Sequence, residues 1–273
     1  MTEPLIDRLR EVWTDIADVC DGLTSAQWDT PTECPGWTVR DNVAHMIGTE
    51  RMLMGEQPGA RPVTDDPPVP AHVRNDIGRA NEAWIEAYRG WSGAALLDEF
   101  RAVTARRLDQ LRALSAEDWE REGFTPEGPG PYRQFMAIRV FDCWYHDQDI
   151  REALGKPGLM EGPVADLSLR RIVERGMPYV IGKKAAAPQG ARVRLEVPGP
   201  GLASDVVVDG RAALAPADPR ETPTTSLVLD RRTFARLAGG RWSGAYARVH
   251  GAVRVDGDQE LGDRIVDHMA FTI

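Results

Sequence analysis

The sequence predicts a two-domain α+β chain, with a helical bundle over residues 1–158 and an α+β domain over 159–273. Three observations carry that prediction. Apolar residues in the first part recur at three- and four-residue steps over long segments. In the second part the pattern switches to strict alternation, as in Arg192-Val-Arg-Leu-Glu-Val197. Between them, Gly155-Lys-Pro-Gly158 stops a helix and marks the change of texture.

The elements follow in order. Leu5, Leu9, Val12, Trp13, Ile16 and Val19 give a first amphipathic helix over 4–22, ended by Gly22. The stretch from Pro31 to Trp37 is too rich in proline to be helical. Thr38, with Asp41 three residues on, reads as a capping box opening a second helix that carries His45. The prolines and glycines of 57–70 predict an exposed loop. From His72 to about Leu114 the pattern is helical again, broken between Gly90 and Gly93. A fourth helix runs between Pro131 and Gly155. These helices suit an up-down bundle with one long connection. Beyond residue 160, a helical segment over 167–181 precedes strands at 192–197, 205–208, 225–229 and 247–255. Short helices are expected at 233–237 and 260–269.

Composition narrows the function classes. The net charge of -9 argues against a general affinity for nucleic acid or anionic membrane. No apolar run reaches spanning length, and the first residues lack a basic region followed by an apolar core, so a cytoplasmic location is expected. Three scattered cysteines make no disulfide framework and no Cys-x-x-Cys thiolate pair, so any metal would be held by nitrogen and oxygen. The eight tryptophans are expected mainly in helix packing. A monomer or homodimer is expected.

The fourth helix holds the strongest chemical signal. Phe135, Ile138, Asp142, Tyr145 with His146, Asp149 and Ala153 share one face. That face carries the apolar periodicity, yet its middle is polar. A buried carboxylate or imidazole must be paired, hydrogen-bonded or metal-bound. Asp142 and His146, one turn apart, can reach a single ion, and His45 offers a second imidazole from another helix. The plain alternative is an aspartate that fixes a buried histidine. Asp41 repeats the four-residue spacing before His45, but its place after Thr38 marks it as a cap. His72, His250 and His268 read as structural or exposed. Cys143 is turned about 100° from Asp142 and reads as packing. Cys34 could lie near the site, with packing the simpler reading.

Pro31-Thr-Glu-Cys-Pro-Gly-Trp-Thr-Val-Arg-Asp-Asn-Val-Ala-His45, taken with Asp142-Cys-Trp-Tyr-His-Asp-Gln-Asp-Ile150, resembles the mycothiol-dependent maleylpyruvate isomerase family. That family has a DinB-like metal-binding four-helix bundle. The C-terminal part, ending Arg248-Val-His-Gly-Ala-Val-Arg-Val-Asp-Gly-Asp258, resembles the sterol-carrier-protein-like domain such enzymes carry. The resemblance implies a divalent metal, zinc foremost, held by His45, Asp142 and His146. One departure stands out: the isomerase has glutamate where this chain has Asp142. The shorter side chain requires the metal to sit nearer the helix, or the ligand set to adjust. Asp149 would be a supporting or substrate-facing carboxylate. Arg241 is the implied counterpart of a C-terminal arginine that serves activity and would contact cofactor or substrate, with Arg231 and Arg232 as rivals.

The implied activity is a mycothiol-dependent isomerase or thiol S-transferase in which a metal-activated thiol attacks an electrophilic small molecule. Two other readings share the residues. One is a non-catalytic carrier of a small apolar ligand with a structural polar cluster; the other is a metal-dependent hydrolase using water.

Overall fold

The computed structural model describes residues 3–58, 73 and 75–272. Most of the expected 57–70 loop, together with His72, lies outside the described residues. Contacts divide the chain into two compact units, 1–159 and 160–273.

The first unit is built on four long helices. Helix α1 (Pro4–Cys20) buries Leu5, Leu9, Val12, Trp13 and Ile16 along one stripe. A single turn, α2 (Ser25–Trp28), leads into α3 (Val39–Leu53). Helix α4 (Asp76–Tyr88) and the longer α5 (Gly93–Ala113) follow, with the break between them where the sequence places it, and Ser92 caps α5. A short α6 (Ala116–Glu120) and a minimal ribbon, β1 (Glu122–Gly123) with β2 (Gly130–Pro131), lead into α7 (Tyr132–Leu154). Gly155 ends α7 in the left-handed conformation at φ +63°, where a side chain would be strained.

The bundle is not up-down. α1 packs on α5 and α7, and α3 packs on the same two helices. The pairs α1/α3 and α5/α7 therefore sit diagonally, whereas an up-down bundle makes consecutive helices neighbours. The connection over 21–38 is long enough to allow this.

Helix α7 is buried on more than one face. Met136, Val140, Cys143, Trp144, Asp147 and Ile150 are fully buried on faces other than the expected one. Each such apolar side chain contributes roughly 1.5–3 kcal/mol by leaving water. Helix α4 reaches α3 because residue 48 is glycine: a Cβ there would stand 2.4 Å from Trp84.

In the second unit, α8 (Pro163–Arg171) runs through two π-helical turns, Ile172–Gly176 and Val180–Lys184, that flank α9 (Met177–Tyr179). Pro178 lacks the N–H that a regular turn would use, and the widened turns keep the path helical. Five strands form one sheet in the order β5-β4-β3-β6-β7. They are β3 (Arg192–Glu196), β4 (Ser204–Asp209), β5 (Arg211–Pro216), β6 (Thr225–Leu229) and β7 (Val253–Gly257). Only the β3–β6 pair is parallel. Helices α10 (Arg231–Ala238), α11 (Gly244–Val249) and α12 (Gln259–Asp267) complete the unit.

Two expectations fail here. Residues 247–249 belong to α11, capped by Ser243, so the strand expected at 247–255 begins only at Val253. His250 is accordingly no strand residue. It ends α11, directs Nδ1 at the Tyr246 carbonyl at 2.9 Å and stacks on the Tyr246 ring. Strand β5 was not foreseen.

Candidate metal centre

Helix α3 begins where the capping box predicts. Asp41 Oδ2 accepts from the Thr38 N–H at 2.9 Å and from its hydroxyl at 2.8 Å. Asp41 is thereby occupied as a cap. The preceding loop folds back on itself: Thr32 N–H donates to the Trp37 carbonyl at 2.9 Å, and Trp37 N–H to the Cys34 carbonyl at 3.1 Å.

From these two elements and α7, three of the expected residues come together. His45, Asp142 and His146 each place a ligand atom within 4.8 Å of the others. His45 Nε2 stands 3.3 Å from Asp142 Oδ2, and His146 Nε2 stands 3.6 Å from Asp142 Oδ1. Both imidazoles are buried, whereas the Asp142 side chain is 31% exposed. Asp142 is thus the open member of a face expected to be closed.

Tautomers follow from the surroundings. Asn42, fully buried, donates its amide to the Thr38 carbonyl at 2.8 Å, an acceptor only, and so turns its own Oδ1 toward His146 Nδ1 at 2.7 Å. Nδ1 must therefore carry a proton, and Nε2, which faces Asp142, is the nitrogen left for a ligand. No neighbour among the described residues fixes His45 in this way, since its buried Nδ1 has no hydrogen-bond partner. His45 can present either a proton or a lone pair at Nε2.

The electrostatics favour neutral imidazole and ionised carboxylate. Burial lowers the His45 pKa, and Asp142 only partly opposes it. Burial would raise the Asp142 pKa, but Arg139, His146 and His45 together hold it well below the ordinary carboxylate range. Arg139 donates through Nη1 to Asp142 Oδ2. Oδ1 receives no hydrogen bond among the described residues. Two imidazoles and one carboxylate thus bring ligand atoms within 4.8 Å of one another, a grouping that could hold a divalent cation.

A second cluster, Cys34 with His146 and Asp149, also brings ligand atoms within 4.8 Å. It meets His146 on the Nδ1 side, where Asp149 Oδ2 is 3.8 Å away. Because that nitrogen carries a proton for Asn42, it has no lone pair to give. Asp149 is fully buried behind His146.

Sequence reasoning missed Trp37 and Asn42. The Trp37 ring lies 5.0 Å from His45 and 5.5 Å from His146 by centroid, and its Nε1 donates to Glu82 of α4 at 2.8 Å. Trp37 is a roof over the imidazoles rather than a core tryptophan. Asn42 was legible in principle, one turn before His45 on the same helix. Cys143 is packing, as expected. It is fully buried, accepts from Trp13 Nε1 at 3.3 Å, and its thiol is pushed up to about 12 by burial.

Arg241 belongs to the second unit, where its Nη1 donates to the Gly239 carbonyl at 2.8 Å. Of its rivals, Arg231 is a staple of that unit, bound to Asp166 at 2.9 Å and to the Pro198 carbonyl at 2.7 Å. Arg232 lies over the Trp242 ring at 4.8 Å.

A diagonal four-helix bundle with imidazoles and a carboxylate gathered between α3 and α7, followed by an α+β unit, defines a recognisable class of two-part protein. Residues 9–151 match the family model of the mycothiol maleylpyruvate isomerase N-terminal domain, and the chain belongs to that family. Two uncharacterized proteins from two strains of Mycobacterium tuberculosis are 26% identical over 156 residues, 56% of this chain. The match spans 57% of those relatives' length. The crystal structure of the mycothiol-dependent maleylpyruvate isomerase superposes with a TM-score of 0.58 at 17% identity, covering 93% of this chain and 92% of that one. A histidine-to-alanine mutant of that isomerase gives 0.56 with the same coverage. The helical N-terminal region and the C-terminal sheet domain are thus a shared fold. No helix among the described residues is long and apolar enough to cross a membrane.

Proposed function

We propose that the protein is a divalent-metal-binding, mycothiol-dependent enzyme acting on an electrophilic small molecule, by maleylpyruvate-isomerase-like isomerisation or by net S-transfer. The observation that carries this reading is the convergence of His45, Asp142 and His146, each with a ligand atom within 4.8 Å of the others, and with the Nδ1 of His146 directed at Asn42. In this reading His45, Asp142 and His146 hold the metal, and the two-nitrogen, one-oxygen set favours zinc. Bound there, the metal would supply Lewis acidity that keeps a small thiol, with an ordinary pKa of about 8.5, as thiolate at neutral pH.

The chain's own residues prepare that site. Burial keeps His45 neutral and so able to ligate. Asn42 holds the proton of His146 on Nδ1. Trp37 covers both rings and limits water on that side. Asp149 reinforces the orientation of His146 from behind. Arg241 is assigned the role of holding a polar group of thiol or substrate. The partners are small molecules, and a cytoplasmic monomer or homodimer suits them.

The test is metal content and thiol-consumption turnover for wild type and His146→Ala. Wild type is expected to retain about one zinc and to lose turnover on chelation, with His146→Ala lacking both. Thiol-dependent turnover that survives complete chelation would sink the proposal. Turnover without any added thiol would favour the hydrolase.

A further inference from the structure

Three buried charges lie beside the candidate site and join three helices. Glu50 of α3 is 1% exposed, and Arg107 of α5 and Arg139 of α7 are each 3% exposed. Glu50 takes one guanidinium on each oxygen: Oε1 accepts from Arg139 Nε at 2.9 Å and Oε2 from Arg107 Nε at 3.0 Å. Arg139 then spends its other N–H groups on Asp142 Oδ2, through Nη1, and on Cys143 Sγ at 3.4 Å, through Nη2. The far end of Arg107 meets the Tyr132 hydroxyl and, at 3.6 Å, Met136 Sδ.

A buried Arg–Glu–Arg chain by itself is weak grounds for anything but structure, since desolvation roughly cancels the attraction. This one is asymmetric, because only Arg139 also touches a candidate ligand. Its guanidinium is planar and rigid, so anchoring Nε on Glu50 fixes the direction in which Nη1 meets Asp142. The bond falls on Oδ2 and leaves Oδ1 bare. Charge matters as well as angle. A guanidinium beside a cation site repels the cation, and Glu50 offsets that charge from within hydrogen-bond distance.

We infer that Glu50 is a positioning residue for the metal centre, acting through Arg139 to aim the Asp142 carboxylate and to offset the guanidinium charge beside it. The inference rests on the metal reading proposed above. Arg107 serves as the internal control, since it matches Arg139 in burial and in its bond to Glu50 but does not touch Asp142.

The experiment measures Zn²⁺ affinity of the full chain by competition with a chromophoric chelator, alongside the melting temperature of the metal-free form. It compares wild type, Glu50→Gln, Arg139→Lys, their double variant and Arg107→Lys. Glu50→Gln and Arg139→Lys are each expected to weaken Zn²⁺ binding about 10–100-fold, the usual effect of removing a group that orients a ligand. The double variant should be no weaker than the worse single, because both losses run through the same contact. Arg107→Lys should lower the melting temperature comparably while holding Zn²⁺ affinity within about threefold. Lower melting temperatures with unchanged affinity in every variant would overturn the inference and make the chain purely structural. Multiplicative losses in the double would overturn the route through Arg139. If Glu50→Gln does not fold, the contrast between Arg139→Lys and Arg107→Lys decides. A wild type that binds no Zn²⁺ would remove the metal reading itself, an outcome distinct from all of these.

Discussion

Asp142 in the helical unit and Asp205 in the sheet unit are both aspartates held by arginine, and they end in opposite states. Asp205 is fully buried and held on both oxygens: Arg194 Nε reaches Oδ1 at 2.8 Å, while Arg192 Nη1 at 2.8 Å and Arg194 Nη2 at 3.0 Å reach Oδ2. Asp142 is partly open, has one oxygen bound by Arg139, and keeps the other without a donor. Both pKa values lie below the ordinary range, because arginines overcome the opposing effect of burial. A shifted pKa therefore does not separate the two. Unused hydrogen-bonding capacity does. A carboxylate whose two oxygens both accept from arginine is finished as structure, whereas one with an oxygen that takes no arginine and lies beside an imidazole can still bind something.

The contrast is broken most directly by truncating each in turn. Asp142→Ala is expected to lower Zn²⁺ affinity at least about a hundredfold, since it removes a ligand outright. Its metal-free melting temperature should fall less than that of Asp205→Ala, because Arg139 keeps its bond to Glu50. Asp205→Ala should leave Zn²⁺ affinity alone and lower the unfolding free energy by about 3–5 kcal/mol, because two guanidinium groups lose their buried partner. Denaturant titration and chelator competition on both variants check this, and a swapped pattern would refute the distinction.

A smaller effect sharpens the electrostatic side. His45 has a folded pKa below its ordinary value of 6.5, so below pH 6.5 the unfolded chain takes up a proton that the fold resists. Stability of the chelator-treated protein should thus fall as pH drops below about 6.5, and His45→Gln should flatten that slope. Equal slopes in the two proteins would contradict the neutral, buried assignment.

The smallest expected effect concerns the thiols. Cys20 and Cys143 are buried, with pKa values pushed up to about 12 by desolvation, whereas Cys34 is half-buried in the loop before α3. Brief alkylation of the native protein should label Cys34 and spare the other two, with all three reacting once unfolded. Mass mapping that finds Cys143 labelled in the native state would show that α7 is less tightly enclosed than described.

What was legible in the sequence was local. The ends of α7, the Thr38–Asp41 capping box and the one-turn spacing of Asp142 and His146 depend on neighbours within a few residues. Strand β3 was equally plain from its alternation. The errors came where local pattern was ambiguous. Ala247-Arg-Val-His250 alternates like a strand but is also a single helical turn behind a serine cap, and tertiary packing decided for helix. Strand β5, with three alanines and a proline, has little β-propensity and exists because β4 offers it an edge. The parts of the site that were missed are those that need several elements at once. Trp37 meets the imidazoles only because its loop folds back over α3. Glu50 meets Arg139 and Arg107 only because three helices converge, and no spacing along one helix encodes that meeting.

The bare Cα of Gly48 has a consequence for the surroundings of the imidazoles. Glycine within a helix costs about 1 kcal/mol relative to alanine, yet here it lets Trp84 bring α4 close against α3. Helix α4 also carries Glu82, the anchor of the Trp37 indole. The placement of the Trp37 indole beside the imidazoles is thereby coupled to one missing methyl group a turn beyond His45. Gly48→Ala would force Trp84 and its helix outward, and the indole with them. A residue that touches neither imidazole thus helps fix the position of the ring beside both.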